Sequence, residues 1–350
     1  MNNKKIIFYS SNRADFTYIK NIIIKVAELN RIYLVVLNDD EREYHEINKE
    51  SLLIRKIQLV FIKNNESINN KLVKINSKIR PNFNFLVGDR KEMVIPALIS
   101  SGMNIPIIHL GGGEKTLHSP DENFRKIISK LSKIHFCSTS IAKKRLENIN
   151  IYKNTYVVGV TSYEELSNKN KEYEEKLFKK LTYDLDKIIL FSFHSESNDF
   201  LKEIKLIKFT LNKLIKLNNH VIITESNNDF NGIKLNNYYK NINNKKISFI
   251  KNIGHKNYKY YISNCIFMIG NSSSGIVESS LFNKINLSIG LRQKGRDLDK
   301  NTYYLGHNLA KINIHINLIK ENKLKYNNKR MAIYKKIKSS NVITKIISKL

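Results

Sequence analysis

Apolar residues in this chain fall in short, nearly continuous runs, each closed by small or polar residues. In the first half the runs are "KKIIFYSS" (4–11), "RIYLVVLN" (31–38), "NFNFLVGDR" (82–90), "IPIIHLGGG" (105–113), "IHFCSTS" (134–140) and "NTYVVGV" (154–160). Stretches with helical spacing separate several of them, such as Phe16, Ile19, Ile23 and Val26 after the first run. Strands that are apolar on both faces belong to parallel sheets covered by helices, so the pattern predicts an α/β unit. After Tyr163 comes "EELSNKNKEYEEKLFKKL" (164–181), polar and helical with no strand, which reads as a bridge. A second series then begins: "KIILFSFH" (187–194), "HVIITES" (220–226), "KISFIKNI" (246–253), "CIFMIGNS" (265–272) and "INLSIG" (285–290). The expected organisation is a first lobe over 1–163, a second over 164–317 and a basic, helical tail over 318–350. Two such lobes predict a ligand cleft at the carboxyl ends of their sheets.

Composition narrows the class. A chain of 350 residues suits two domains of roughly 100–200 residues, and 41% apolar content is enough for ordinary cores. No run approaches the roughly 18 uninterrupted apolar residues of a membrane span, and the N-terminus turns polar too early for a signal sequence. The expectation is a soluble, cytoplasmic protein with no membrane partner. Cys137 and Cys265 sit in apolar runs, outside any metal-ligand spacing, and read as buried free thiols. The net charge of +29 would attract phosphates, but the lysines are spread from Lys4 to Lys349 among Asn and Ile, and no nucleic-acid motif accompanies them. Solvated basic faces are the better reading, with no nucleic-acid partner.

Three stretches carry candidate chemistry. "HLGGGEKTLHSPDENFRK" (109–126) sets three glycines at a strand end, where a Cβ would block a tight turn or a close ligand. Ser119, Pro120 and Glu122 then resemble a helix start, with Phe124, Ile127, Ile128, Leu131 and Ile134 as its buried face. Capping accounts for Asp121 and Glu122 as well as chemistry does, whereas nothing local requires an acid at Glu114. "CIFMIGNSSSGIVESSLF" (265–282) runs from a strand into Gly270, Asn271 and three serines. Gly275 is expected to open a helix whose amides and dipole suit an anion. "SIGLRQKGRDL" (288–298) brings Arg292, Lys294 and Arg296 together, a second anion clamp if it lies beside that loop. His194 ends the first strand of the second lobe, as a structural or a functional histidine.

Taken in order, "NRADF" (12–16), "VGDRKEM" (87–93), "NIPIIHLGGGEKTL" (104–117), "DENFRKIISKLSKIHF" (121–136), "SFHSE" (192–196), "SNND" (226–229), "IGNSSSGIVE" (269–278) and "GLRQKGR" (290–296) resemble the hydrolysing UDP-N-acetylglucosamine 2-epimerases. The resemblance is to the branch serving sialic-acid and legionaminic-acid synthesis. It implies a GT-B-like fold of two Rossmann-type lobes, UDP-GlcNAc as substrate with N-acetylmannosamine as product, or alternatively the UDP-2,4-diacetamido-2,4,6-trideoxy sugar, no metal and no redox cofactor; a homo-oligomer is left open. It also implies elimination of UDP to a 2-acetamidoglucal followed by water addition. Position by position, Asp89, Glu114 and Asp121 match acids around the sugar and His194 the second-lobe histidine. Arg13 matches an arginine near the diphosphate and Arg125 one that pairs with acids. Ser272, Ser273 and Gly275 match the phosphate loop, Glu278 the ribose-binding glutamate and Arg292 the cation of the last motif. Asn227 and Asp229 fall where the family contacts the nucleotide. Gly111 stands where the sialic-acid branch carries histidine and other branches glutamate. That departure implies a different 2-acetamido sugar, another nucleotide preference or decayed activity. A GT-B glycosyltransferase and a nucleotide-sugar-binding protein without turnover are the alternatives.

Overall fold

The computed structural model describes residues 3–37, 45, 47–49, 51, 57–62, 67–116, 121–167, 187–227, 231–251, 253–324, 333–334 and 337–350. The chain divides into two compact units. One comprises Met1–Lys115, Ser119–Ser167 and Lys335–Leu350; the other comprises Thr116–His118 and Asn168–Tyr334.

The first unit is built on strands β1 (Lys5–Ser10), β2 (Arg31–Leu37), β3 (Ile57–Ile62), β4 (Phe83–Val87), β5 (Ile107–Leu110), β6 (Ile134–Cys137) and β7 (Thr155–Val157). They form a parallel sheet in the order β3-β2-β1-β4-β5-β6-β7. Alternate side chains of the fully covered central strands serve two cores. Ile6 and Phe8 pack with Phe16, Ile19 and Ile23 of the helix Arg13–Val26. Ile7 and Tyr9 pack on the other face with Leu86, Met93, Ala97 and Ile128. Each such side chain contributes about 1.5–3 kcal/mol on burial, which explains why these strands read as unbroken apolar runs.

In the second unit, β8 (Ile188–Ser192), β9 (His220–Thr224), β10 (Ile247–Ile250), β11 (Phe267–Gly270), β12 (Ile285–Ile289) and β13 (Thr302–Gly306) make a parallel sheet ordered β10-β9-β8-β11-β12-β13. Its main core joins Ile189, Phe191, Phe267 and Ile269 to Leu206, Leu211 and Leu214 of the helix Phe200–Leu214. In both sheets the strand order reverses beside the first strand, at β1/β4 and at β8/β11, and the loops leaving those carboxyl ends are the natural places for a ligand.

Two strands escape the hydrophobic pattern, β3 and β13. Each lies at a sheet edge and leaves several side chains partly exposed, so neither needs the unbroken apolar run that marks an interior strand. The described residues after 318 fall mainly on two helices. The helix Leu309–Lys320 packs against Phe200–Leu214 in the second unit. The helix Ser339–Lys349 lies on Arg13–Val26, with Ile343 and Ile347 in the first core and Lys4 Nζ donating to the Ile347 carbonyl at 2.9 Å. Both cysteines are buried free thiols, and burial pushes each thiol up to about 12. Among the described residues, no helix is long and apolar enough to cross a membrane.

Candidate active site

In the first unit the chemistry gathers where β1, β4 and β5 end. Gly88, at φ +70°, turns the chain after β4 and presents Asp89. The three glycines follow β5, and their roles differ. A Cβ on Gly113 would lie 2.0 Å from the Ala142 carbonyl oxygen, and one on Gly112 3.2 Å from His109 Nδ1. A Cβ on Gly111, at φ +94°, would meet nothing closer than 3.6 Å. Gly113 is therefore demanded by backbone contact, Gly112 by close packing, and Gly111 by its dihedral alone. The tight path brings Glu114 back over the sheet end.

Arg125 organises the acids. It is 3% exposed, and it pairs with Asp89 through Nη2 while Nη1 donates to Glu122 Oε2 and to the Glu114 carbonyl, each at 2.8 Å. The Glu114 carboxylate accepts from Ser138 Oγ at 2.9 Å. Asp121, partly buried, begins the helix Asp121–Leu131 one turn before Arg125. The buried face of this helix is Arg125, Ile128 and Ser129, with Ile127 exposed. That differs from the apolar stripe expected from the sequence. The helix turns a polar pair inward because Asp89, Glu114 and Glu122 satisfy Arg125, and His109 satisfies Ser129. The expected cap at Ser119 and Pro120 lies outside the described residues.

Beneath the acids, His109 on β5 is fully buried. Its Nε2 is 2.7 Å from the Gly88 carbonyl oxygen and its Nδ1 is 3.1 Å from Ser129 Oγ. A carbonyl only accepts, so the proton sits on Nε2 and Nδ1 accepts from the serine. Burial lowers the ring to about 3, so it is neutral at physiological pH. Asp15, in the first turn of the helix Arg13–Val26, is 7% exposed and accepts from the Ser11 amide at 3.1 Å and from the Ser11 hydroxyl. Burial raises its carboxyl to about 6, against the opposing pull of Arg90 and Ser11. Arg13 opens the helix Arg13–Val26.

The second unit ties its loops together through two side chains. Asn271, after β11, accepts from the His194 amide at 2.7 Å and donates to the His194 carbonyl at 2.8 Å and to Glu196 Oε2 at 3.0 Å. Glu196, whose side chain is 5% exposed, also accepts from the Leu291 and Arg292 amides at 2.8 Å, and it lies 2.7 Å from His307 Nε2. The loops after β8, β11, β12 and β13 are thereby fixed to one carboxylate. A Cβ on Gly290 would lie 2.7 Å from that group, so the last cationic motif must begin with glycine. His194 Nδ1 accepts from the Asn227 amide at 3.1 Å, which places the proton of the neutral ring on Nε2.

The serine loop departs from expectation in one respect. Gly275 ends a 3-10 turn, Ser273–Gly275, and the next helix, Glu278–Leu281, has only four residues, so no long helix dipole points at the loop. A Cβ on Gly275 would lie 2.5 Å from Asn286 Oδ1, so this turn packs closely against β12. Ser273 is exposed. The Ser272 and Ser274 hydroxyls lie 3.0 Å apart, and Ser274 meets the hydroxyl of the partly buried Tyr258. Glu278 is 9% exposed and Arg292 partly buried on the loop that Glu196 holds. Asp229 lies outside the described residues. Among the described residues no group of three or more His, Cys, Asp or Glu could hold a metal ion.

Residues 33–348 match the family model for UDP-N-acetylglucosamine 2-epimerase. The chain belongs to this family. It is 32% identical over 320 residues to the GDP/UDP-N,N'-diacetylbacillosamine 2-epimerase (hydrolyzing) of Campylobacter jejuni, covering 85% of this chain and 83% of that protein. A UDP-N,N'-diacetylbacillosamine 2-epimerase (hydrolyzing) from Legionella pneumophila is 31% identical over 63% of this chain and 59% of its own length. The crystal structure of UDP-GlcNAc 2-epimerase from Neisseria meningitidis bound to UDP-GlcNAc superposes with a TM-score of 0.81 at 18% identity, covering 99% of this chain and 100% of that one. The fold is GT-B-like, with two parallel α/β lobes.

Site residues absent from the sequence reading are Asp15, His109, Glu196 and Asn271. All four sit inside quoted motifs; His109, Glu196 and Asn271 make contacts with residues that follow other strands, while Asp15 is held by Ser11 just before its own helix.

Proposed function

We propose that this member of the family is a hydrolysing 2-epimerase of UDP-linked 2-acetamido sugars. The observation that carries the reading is the pairing of Asp89 and Glu122 with the buried Arg125 guanidinium, which also holds the Glu114 main-chain carbonyl, with Asp121 on the same helix. An acyl-amino sugar bound there meets several carboxylates. In the reaction, a base takes the proton from C2, the C1–O bond to UDP breaks with its electrons leaving on the diphosphate, and a C1=C2 double bond remains. Water then adds its hydroxyl to C1 while a proton returns to C2 from the other face. The net change is UDP-sugar plus water to UDP plus the free 2-epimer. The second-unit loops supply backbone amides, the Ser273 hydroxyl and Arg292 for the departing diphosphate.

The sugar itself is proposed to be the 2,4-diacetamido-2,4,6-trideoxy type, with UDP-GlcNAc as the second candidate. Two observations support this order: the names of the relatives at 32% and 31% identity, and the absence of a side chain at Gly111, where a Cβ would meet nothing within 3.5 Å. The test is a proton NMR time course in D2O with each UDP-sugar. Release of UDP together with a 2-epimer deuterated at C2 is the expected result, faster with the diacetamido substrate. Glu114→Gln should keep nucleotide affinity and lose turnover. UDP binding by the wild-type protein with no release from either sugar would overturn the reading in favour of a binding protein.

A further inference from the structure

Asp89 and Arg125 reach their places from two separate elements: the turn after β4 carries Asp89, and the helix Asp121–Leu131 carries Arg125 together with Asp121 and Glu122. A salt bridge at its tip is a poor ruler, because Asp89 is 29% exposed and its side chain has room to swing. One group bridges the same two elements from below. His109, on the intervening β5, reaches the Gly88 carbonyl with Nε2 and Ser129 Oγ with Nδ1. Gly88 immediately precedes Asp89, so the peptide that receives the Nε2–H is the one that leads into the acid. Ser129 lies four residues after Arg125, on the same inward face of the helix. Gly112 closes over the ring, at a spacing where its missing Cβ would sit 3.2 Å from Nδ1 and 3.3 Å from Ser129 Oγ. The ring is fully buried and also packs edge-on to His135, with centroids 6.4 Å apart.

We infer that His109 is a positioning residue of this active site: by donating from Nε2 to the Gly88 carbonyl and accepting at Nδ1 from Ser129, it sets the Asp89 turn against the Arg125 helix. The inference rests on the proposed epimerase reading for its effect on rate. It depends on two opposed hydrogen-bonding roles in one rigid ring, which an apolar residue of similar size lacks. The ring is neutral across the working pH range, as burial requires, so it holds geometry and does not exchange protons with substrate.

The test compares His109→Leu with His109→Gln, whose amide is long enough to return a donor to the Gly88 carbonyl, and with Ser129→Ala. His109→Leu is expected to lower kcat about 10- to 100-fold, the scale of a misplacement near 1 Å, with KM and UDP affinity little changed. His109→Gln should recover most of the loss, and Ser129→Ala should add nothing in the His109→Leu background. All variants should keep the wild-type pH profile. Undiminished kcat in His109→Leu would overturn the inference, as would equal loss in Leu and Gln accompanied by disappearance of one limb of the pH profile. A readout independent of turnover separates this inference from the epimerase reading: the Asp89 amide 15N shift belongs to the very peptide that His109 grips. It should move in His109→Leu and return in His109→Gln. An unmoved Asp89 amide refutes the positioning role even in an enzyme with the proposed activity, and a wild type without turnover refutes the activity while leaving this measurement intact. Should His109→Leu fail to fold, Ser129→Ala alone carries the test: it is expected to shift the Asp89 amide, and no shift overturns the inference.

Discussion

Replacing the glycines before Glu114 one at a time separates dihedral strain from steric exclusion. Gly111→Ala pays only for a left-handed residue, at φ +94° with no atom within 3.5 Å of the new Cβ. That strain is roughly 1–2 kcal/mol, offset by about 0.4–1 kcal/mol of lost unfolded-chain entropy. Gly113→Ala carries a similar dihedral term at φ +78°, and its Cβ also falls 2.0 Å from the Ala142 oxygen and 2.8 Å from the Ala142 carbonyl carbon. These are backbone atoms of the helix Ser140–Glu147, so they cannot rotate away and either the helix or the glycine loop must shift. Overpacking of that kind costs a further 1–3 kcal/mol or so. Unfolding of the two variants should therefore differ by about 1–3 kcal/mol, or roughly 2–12 °C in the melting midpoint of a unit this size. Thermal melts followed by circular dichroism measure the difference. Gly113→Ala should also lose turnover through displaced Glu114, while Gly111→Ala keeps most of it. Equal midpoints would show that the loop relaxes without cost and that the close approach to Ala142 is not the reason for glycine.

Asp15→Asn tests the buried carboxyl after β1. Its folded value near 6 lies above the ordinary 3.8, so the folded state binds the proton more tightly and its stability falls as pH rises through that window. The substitution should stabilise the first unit by up to about 3 kcal/mol above pH 6, with the gain vanishing below about pH 4 in melts across that range; a pH-independent difference would refute this. Glu203, 1% exposed, accepts from Ser195 Oγ and from the Glu196 and Ser197 amides at 2.6–2.8 Å, so Glu203→Ala should cost roughly 2–4 kcal/mol and loosen the His194–Glu196 turn, read as weaker UDP binding by calorimetry. Ser273→Ala, at an exposed position, should leave the melt unchanged and weaken UDP binding by roughly 0.5–1.5 kcal/mol, and unchanged affinity would move the phosphate contact elsewhere.

The sequence by itself determined the layers of this protein. A parallel strand buried on both faces must be apolar along its length, so β1, β2, β4, β5 and β8 announce themselves, and the motifs at their carboxyl ends locate the chemistry. Edge strands β3 and β13 obey no such constraint and left a weaker mark. Tertiary structure alone decided which side chains meet. Arg125 sits at a position that helical spacing offers to solvent or core alike, and it became buried because Asp89, 36 residues away, and the Glu114 carbonyl satisfy it there. Glu196 gathers amides from a loop about 95 residues downstream, and His109 joins a turn 21 residues before it to a serine 20 residues after it. Such contacts form between loops brought side by side by strand order. Periodicity records only which face of its own element a residue occupies, so the partners of a buried polar group become visible once the sheet is assembled.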